Sequence, residues 1–151
     1  MTDTIFDKIV RKEVRSWIIW ESETHLAFLT PYGNTWGQTV VIPKENLGDD
    51  AFEMEKNDYV NLTVACREVV DLLKKGLGVV RVAMVIEGTG VPYVHAKLFP
   101  LHGKLAKNID LEQPSHQEFY PEYVGYISTV EGPKMNDEDL DKIAARIKSA
   151  M

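Results

Sequence analysis

The sequence has little cysteine, no long apolar run and no excess of positive charge, and each of these limits the possible classes of function. It contains a single cysteine, Cys66, so no intrachain disulfide can form. No apolar run approaches the roughly 20 residues of a membrane-spanning helix, and the first residues carry no apolar signal core. Basic residues number 17 against 23 acidic ones, and the net charge of −6 disfavours binding of nucleic acid or an anionic membrane through bulk charge. We therefore expect a cytoplasmic protein in which Cys66 fills core space.

The composition is that of one ordinary folded domain, with 44% hydrophobic and 26% charged residues in a chain of 151. Apolar and alternating runs predict strands at residues 16–22, 25–30, 38–43, 79–87 and 91–100. Helices are predicted at residues 2–11, from a cap at Asn57 to about Lys75, and at residues 137–150. Because the strands cluster instead of alternating with helices, the predicted fold class is α+β with an antiparallel sheet.

The last third of the chain is mixed in character and rich in proline and aromatic residues. We expect a domain over residues 1–103 and an extension over residues 104–151 that packs on the same domain. The reason for this packing is that several apolar side chains of the extension need cover, namely Phe119, Tyr120, Tyr123, Tyr126 and Ile127.

One predicted strand carries an unusual row of polar side chains. Alternation along residues 91–100 places Tyr93, His95 and Lys97 on one face, and Val94, Ala96 and Leu98 on the other. A polar row on a strand that otherwise suits a core needs hydrogen-bond partners or a function. The row is therefore the first candidate for a functional site.

Several segments together resemble the histidine triad (HIT) superfamily. That family has the motif His-φ-His-φ-His-φ-φ (φ, apolar) on the last strand of a five-stranded antiparallel sheet, and here the same frame is Tyr93-Val-His-Ala-Lys-Leu-Phe-Pro100. Phe6-Asp-Lys-Ile-Val10, Ala27-Phe-Leu29 and Gly37-Gln-Thr-Val-Val-Ile-Pro-Lys44 resemble other family segments. The resemblance covers about residues 5–103 and implies the HIT-like fold, with one long helix and a short N-terminal helix.

The departures from the family pattern fall at the ligand site. Tyr93 and Lys97 replace the outer histidines, and Gln38 replaces the histidine before the third strand. Thr30 stands where the family has an acid that contacts the ribose of a nucleotide. The Gly-Gln-Ser segment that handles phosphate is reduced to Thr89-Gly90. The resemblance therefore implies the fold, with a ligand site that has diverged.

By the resemblance, His95 corresponds to the nucleophile, which attacks an α-phosphate as a neutral imidazole and forms a nucleotidyl-histidine. Lys97 would favour the neutral ring through charge repulsion and bind a phosphate oxygen, which is our inference and not a family property. The alternative is a vestigial site whose polar row only satisfies its own hydrogen bonds.

Tyr93 and Gln38 are candidate substrate contacts. The alternative for Tyr93 is an aromatic ring that packs at the pocket edge, and the alternative for Gln38 is a strand-edge amide. Thr30, Thr89 and Gly90 complete the predicted substrate-binding set.

The remaining histidines give weaker signals. His102 is a candidate for contact with the phosphate end of the pocket, although a surface turn is the favoured interpretation, and His25 is expected to be structural. His116 gives no signal, and no two histidines have a close metal-ligand spacing, so neither a metal site nor a cofactor is expected.

Three hypotheses of function follow. The first is a HIT-type nucleotide hydrolase or nucleotidyl transferase, similar to diadenosine polyphosphate hydrolases, acting on dinucleoside polyphosphates, nucleoside phosphoramidates or related conjugates as a homodimer. The second is a protein that binds a nucleotide or phosphate compound without turnover. The third places the function in the extension, with the domain as a scaffold for a protein partner, and exposed aromatic residues between Phe119 and Tyr126 would support it.

Overall fold

The computed structural model describes residues 3–151, which form two compact units, one ending at Leu111 and the other spanning Glu112–Met151. The predicted start of the first helix at Thr2 lies outside the described residues. No helix within residues 3–151 is both long enough and apolar enough to cross a bilayer.

The first unit is built on a five-stranded sheet in which all neighbouring strands are antiparallel. Its elements are α1 (Ile5–Val10), β1 (Trp17–Glu21), β2 (His25–Leu29), β3 (Thr39–Pro43), a 3-10 turn (Ala51–Glu53), α2 (Lys56–Leu77), β4 (Val82–Glu87), β5 (His95–Pro100) and α3 (Lys104–Lys107). The strand order is β1-β2-β3-β5-β4, so the central strand is β3. This arrangement confirms the predicted α+β class with a HIT-like antiparallel sheet.

The two faces of the sheet carry two separate apolar clusters, because alternate strand residues point to opposite faces. Helix α2 covers one face, and its buried residues recur at the helical spacing that the sequence shows, at Leu62, Ala65, Cys66, Val69 and Leu73. They pack against Ala27, Val41, Val94, Ala96 and Leu98. Helix α1 covers part of the other face, where its Phe6 and Ile9 pack with Leu26, Phe28, Val40, Ile42 and Tyr93.

Helix α2 begins and ends differently from the prediction. Its N-cap is Glu55, which makes no side-chain capping bond, and Asn57 lies inside the first turn, so the predicted Asn57 cap is wrong. The helix continues through Gly76 and ends at Gly78, whose φ of 69° lies in the left-handed region that favours glycine.

Strand β5 begins at His95, two residues after the predicted polar row begins. The Tyr93 N–H donates to the carbonyl of Val91, and the Val94 N–H donates to the carbonyl of Gly48. The backbone there is bonded to a turn and a loop instead of the ladder, since the preceding Pro92 has no N–H to continue the pairing. The polar row on the strand therefore consists of His95 and Lys97 only.

The second unit contains one helix, α4 (Asp137–Lys148), which ends two residues before the prediction. Asn136 caps it by accepting from the N–H of Asp139, and acidic residues fill its first turn, as the helix dipole favours. Phe119, Tyr123 and Tyr126 are each more than half exposed, the condition that the third hypothesis requires. The packing of residues 104–151 on the domain stays a prediction.

Candidate functional site

A cavity of about 460 Å³ lies on the face of the sheet that α1 partly covers. Its apolar part is formed by side chains of α1, β1, β2 and β3, including Phe6, Ile9, Phe28 and Val40. Its polar part lies towards β5. The residues that line it come from the start of α1, the edge of the sheet and the turn between β4 and β5, so the sheet register decides which side chains meet.

Six of the eight predicted site residues line this cavity, and they come from four different segments of the chain: Thr30, Gln38, Thr89, Gly90, His95 and Lys97. The structure does not bring Tyr93 or His102 into the lining. Tyr93 is fully buried, and its hydroxyl donates to the carbonyl of Pro43 at 2.5 Å. His102 is exposed, and its Nε2 donates to the carbonyl of Trp36 at 2.8 Å.

The ring of His95 is held in one orientation at the wall of the cavity. Its Nδ1 lies 2.6 Å from the carbonyl oxygen of Tyr93. A carbonyl only accepts, so Nδ1 carries the proton and Nε2 is the unprotonated nitrogen of the neutral ring. Phe6 packs edge-on against the ring, with 5.2 Å between the centroids. Tyr93 thus serves the site through its backbone, and Phe6 forms one wall of it.

The surroundings keep His95 neutral. Burial lowers its pKa below the ordinary histidine value, since only 2% of the residue is exposed. The Tyr93 hydrogen bond acts the other way, while the nearby Lys97 charge lowers the pKa further and Glu87 raises it. A neutral imidazole with a fixed Nδ1–H and a lone pair at Nε2 is chemically suited to nucleophilic attack.

Lys97 is not an isolated charge, because it forms an ion pair with Glu87 on the neighbouring strand. Glu87 lies directly opposite His95 in the antiparallel ladder, and Lys97 lies opposite Val85. The Glu87 carboxylate also accepts from the hydroxyl of Thr89. Burial acts to raise the pKa of Glu87, but the hydrogen bonds from Lys97 and Thr89 hold it below its usual value. An ammonium has three N–H donors, so one ion pair does not exhaust its capacity to bind a phosphate.

The turn between β4 and β5 is fixed against another loop. A Cβ on Gly88 would overlap the carbonyl of Asp49, so the two backbones approach more closely than any other residue type permits. Gly90 follows with a φ of 77°, a conformation that also favours glycine. These two glycines place Thr89 and Gly90 at the cavity.

Thr30, directly after β2, and Gln38, directly before β3, both line the cavity, and the Thr30 N–H donates to the Gln38 carbonyl at 3.2 Å. Gln38 Oε1 accepts from the Asn34 N–H at 2.9 Å, which identifies its NH₂ group as the donor available to a ligand. The Thr30 Oγ1 accepts from the Tyr32 N–H at 3.1 Å and keeps its own proton to donate. Both contacts order the loop that follows β2.

The other buried histidine, His25, lies on the α2 face of the sheet. Its Nδ1 contacts the hydroxyl of Thr24 at 2.8 Å, and burial lowers its pKa. Among the described residues, no group of three or more potential ligands is arranged to hold a metal ion.

Sequence reasoning assigned no role at the site to Phe6, Arg15 or Glu87. Phe6 stands in a segment that resembles the family, so its position carried a signal. Glu87 becomes part of the site only through the β4–β5 register, which the sequence does not contain. Arg15 lines the cavity beside Trp17, and its guanidinium lies 5.2 Å from the centre of that ring.

Comparison with known proteins finds relatives across most of the chain, although no family model matches it. An uncharacterized HIT-like protein of Methanocaldococcus jannaschii is 29% identical over 121 residues, which cover 72% of this chain and 93% of that protein. A solved structure from Streptococcus mutans is 25% identical with a TM-score of 0.66, over 99% of this chain and 86% of that one.

Two further solved structures share the fold at lower identity. A HIT family member of Bacillus subtilis is 21% identical with a TM-score of 0.64, covering 99% of this chain and 98% of that one. A HIT family hydrolase from Legionella pneumophila is 20% identical with a TM-score of 0.58, covering 67% of this chain and 95% of that one.

Proposed function

We propose, because this chain belongs to the histidine triad (HIT) superfamily, that its cavity binds a nucleotide and that His95 attacks the α-phosphate. The observation that carries the proposal is the Nδ1–H bond from His95 to the Tyr93 carbonyl, which presents a neutral ring at the cavity. The hydrolase name of the Legionella pneumophila structure supports the same class of reaction.

The reaction has two displacements at phosphorus. In the first, Nε2 of His95 forms a bond to the α-phosphorus, and the bond to the leaving group breaks with its electron pair going to that group. In the second, water attacks the phosphorus and loses a proton to solvent, and the phosphorus–nitrogen bond breaks with its electron pair returning to Nε2. The nucleoside monophosphate leaves, and His95 is again neutral. Lys97 binds a phosphate oxygen as a point charge during both steps.

The cavity favours leaving groups that depart as stable anions. Among the described residues that line it there is no carboxylic acid and no second imidazole, so no group of ordinary acid strength stands ready to protonate a leaving amine. Dinucleoside polyphosphates release a phosphate anion and need no such acid. We propose them as better substrates than nucleoside phosphoramidates.

The direct test is to trap the covalent intermediate. Incubation with a labelled dinucleoside tetraphosphate and rapid acid-free quenching should give a nucleotidyl adduct on His95, detected by peptide mass spectrometry. His95→Ala should abolish the adduct, and His116→Ala, at an exposed histidine far along the sequence, should leave it unchanged. Absence of an adduct with several nucleotides that still bind would contradict the enzyme proposal.

A second candidate function is binding without turnover. The Lys97–Glu87 ion pair favours it, because Glu87 offsets the charge that would hold the transferring phosphate. In that case nucleotides bind and neither adduct nor product forms. Calorimetric affinity measured beside product formation separates the two candidates.

A further inference from the structure

The charge of the cavity differs from that of the whole chain. Two cationic side chains, Arg15 and Lys97, line it, and no carboxylate does so among the described residues, whereas the chain as a whole has a net charge of −6. A cavity of one sign concentrates ligands of the opposite sign. Arg15 lies two residues before β1 and Lys97 lies on β5, which suggests two anionic positions instead of one.

Of the two cations, Arg15 is the one whose charge is not offset by an ion pair within residues 3–151. Lys97 is paired with Glu87, whereas no ion pair within residues 3–151 involves Arg15, whose contact is with the face of Trp17. Arginine stacked on an indole keeps its edge donors for a planar or tetrahedral anion. The stacking therefore orders the guanidinium without using up its hydrogen-bonding capacity.

The sheet register separates the two cations across the cavity. Trp17 lies opposite Leu29, Leu29 opposite Thr39, and Thr39 opposite Leu98. Arg15 precedes the first residue of this row by two positions, and Lys97 precedes the last by one. Three strand spacings amount to about 14 Å. The Lys97 ammonium pairs with Glu87 on β4, and the Arg15 guanidinium lies over Trp17 on β1, the strand at the opposite end of the sheet. The two charges therefore face separate positions, which a ligand with an anionic group at each end can contact.

The hydroxyl groups on the Arg15 side of the cavity suit a second anion. Ser16 and Thr30 line the cavity on the Arg15 side, and the Thr30 hydroxyl keeps its proton for donation because its oxygen already accepts from the Tyr32 N–H. A neutral hydroxyl donates to an anion where a carboxylate would repel it. In dinucleotide sites, an acidic residue selects a bare ribose hydroxyl and a nearby arginine accommodates a ribose phosphate.

We infer that Arg15, Ser16 and Thr30 form a second anion subsite, and that the ligand is a nucleotide with a further phosphate on its ribose. The inference rests on the proposed function, which places the 5′-phosphate at His95 and Lys97. The second phosphate lies at the 2′ or 3′ position and meets the Arg15 guanidinium. The apolar floor of Phe28 and Val40 carries the body of the ligand between the two charged ends.

The test compares affinities by calorimetry at one fixed salt concentration. The four common nucleoside 5′-monophosphates identify the preferred base, and the 2′,5′- and 3′,5′-bisphosphates of that nucleoside are then titrated. We expect one bisphosphate to bind at least about tenfold more tightly than the monophosphate, a difference typical of one charge-assisted contact. Arg15→Gln should remove this preference, because it lowers the affinity for the bisphosphate by a larger factor than the affinity for the monophosphate. The preference should also reverse in Thr30→Asp.

The matched control is Arg67→Gln, which removes an equal charge from the exposed surface of α2 and should keep the preference. Equal affinity of monophosphate and bisphosphates in the unmodified protein would overturn the inference and leave the proposed function standing. An equal loss of preference in Arg67→Gln and Arg15→Gln would overturn it too, since general charge would then explain the result. If no monophosphate binds at all, the proposed function fails and the inference fails with it.

Discussion

At the level of single residues, the surroundings of each histidine determine the chemistry that its ring can perform. His95 is enclosed, fixed through Nδ1 and placed at a cavity. His25 is also buried but lies on the opposite face of the sheet, where its Nε2 has no hydrogen-bond partner. His102 and His116 are exposed. His95 combines a ring kept neutral by burial with a position at the cavity that most of the predicted site residues line.

The lowered pKa of His95 predicts a one-sided pH dependence. The group binds a proton less readily when folded, so its ring stays neutral as the pH falls through about 6.5, the ordinary histidine value, and charges only below the lowered pKa. Activity should therefore persist below pH 6.5 and disappear further into the acid range. The same shift affects the free energy of unfolding, because the unfolded chain binds a proton at His95 near pH 6.5 and the folded chain does not. This free energy should therefore fall as the pH drops from 6.5 towards the lowered pKa, and His95 should have no effect on it above 6.5.

The measurement is an NMR titration of the imidazole Cε1–H signals, with His95→Asn to assign the resonance. A His95 signal that titrates at or above pH 6.5 would contradict the environment described here. The pH–rate profile gives an independent check on the same group.

Glu87→Gln should strengthen phosphate binding. The substitution removes the carboxylate that pairs with Lys97 and keeps a similar shape, so the ammonium presents its full charge to the ligand. We expect a severalfold gain in affinity for a nucleoside 5′-monophosphate, and a further fall in the His95 pKa, because Glu87 raises it. Calorimetry and the same NMR titration measure the two effects.

Glu68→Gln is the control, since it removes one negative charge from an exposed position of α2. If Glu87→Gln weakens binding instead, the carboxylate is needed to hold Lys97 in position and the ion pair supports the site.

At the level of elements, the site depends on how the segment before β5 is attached. Its backbone bonds to the loop at Gly48, and the Tyr93 hydroxyl ties it to the end of β3 at Pro43. Helix α1 holds its end of the cavity through a capping box, in which Thr4 and Asp7 satisfy each other's backbone N–H groups. The Phe6 ring thereby meets His95 from one side, and the Tyr93 carbonyl meets it from the other.

Tyr93→Phe tests the structural role that the fold gives this side chain. The change leaves the buried carbonyl of Pro43 without its donor, so the free energy of unfolding should fall by about 1–2 kcal/mol. Tyr32→Phe removes an exposed hydroxyl and should change it by less than about 0.5 kcal/mol. Urea unfolding gives both values.

Nucleotide affinity separates this role from the sequence-based prediction that Tyr93 contacts the substrate. We expect the affinity of Tyr93→Phe to stay within about twofold at a temperature where the protein is folded. An affinity loss with unchanged stability would show that the hydroxyl contacts the ligand after all.

At the level of the whole molecule, the sheet ends in an open edge. Strand β4 pairs with β5 on one side only, so its other side presents unpaired backbone groups. Met84 on this strand is 46% exposed. An exposed apolar residue on an open edge strand is typical of a surface where chains associate, which agrees with the homodimer expected from the family resemblance.

Met84→Lys should therefore weaken self-association. We expect light scattering with size-exclusion chromatography to give the mass of a dimer for the unmodified protein, and a lower mass for the variant at micromolar concentration. Leu105→Lys makes the same change at a residue 47% exposed outside the sheet and should leave the mass unchanged. A monomeric unmodified protein at all concentrations would disprove the homodimer.

Much of this molecule was predictable because short-range patterns determine it. Alternation in the strands and the helical spacing of α2 predicted the sheet and its buried stripe. His95 and Lys97 line one cavity, and the roles that the sequence predicts for them there stay predictions. The strand starts were less accurate, because at Tyr93 the backbone bonds to a distant loop instead of to the ladder. The cap predicted at Asn57 is wrong because the cap lies two residues earlier, at Glu55, and the helix begins at Lys56.

The sequence by itself determined the residue types in the polar row and the periodicities that form the core. Only the tertiary structure decided how those residues act. The Lys97–Glu87 ion pair depends on the β4–β5 register, and the Tyr93 hydroxyl bonds to Pro43, 50 residues away along the chain. Arg15 lies two residues before β1, and it joins the cavity because the β1–β2 pairing brings the start of β1 beside the end of β2. Hydrogen bonds and charges act over a few ångströms in space, and the fold alone sets which residues come that close.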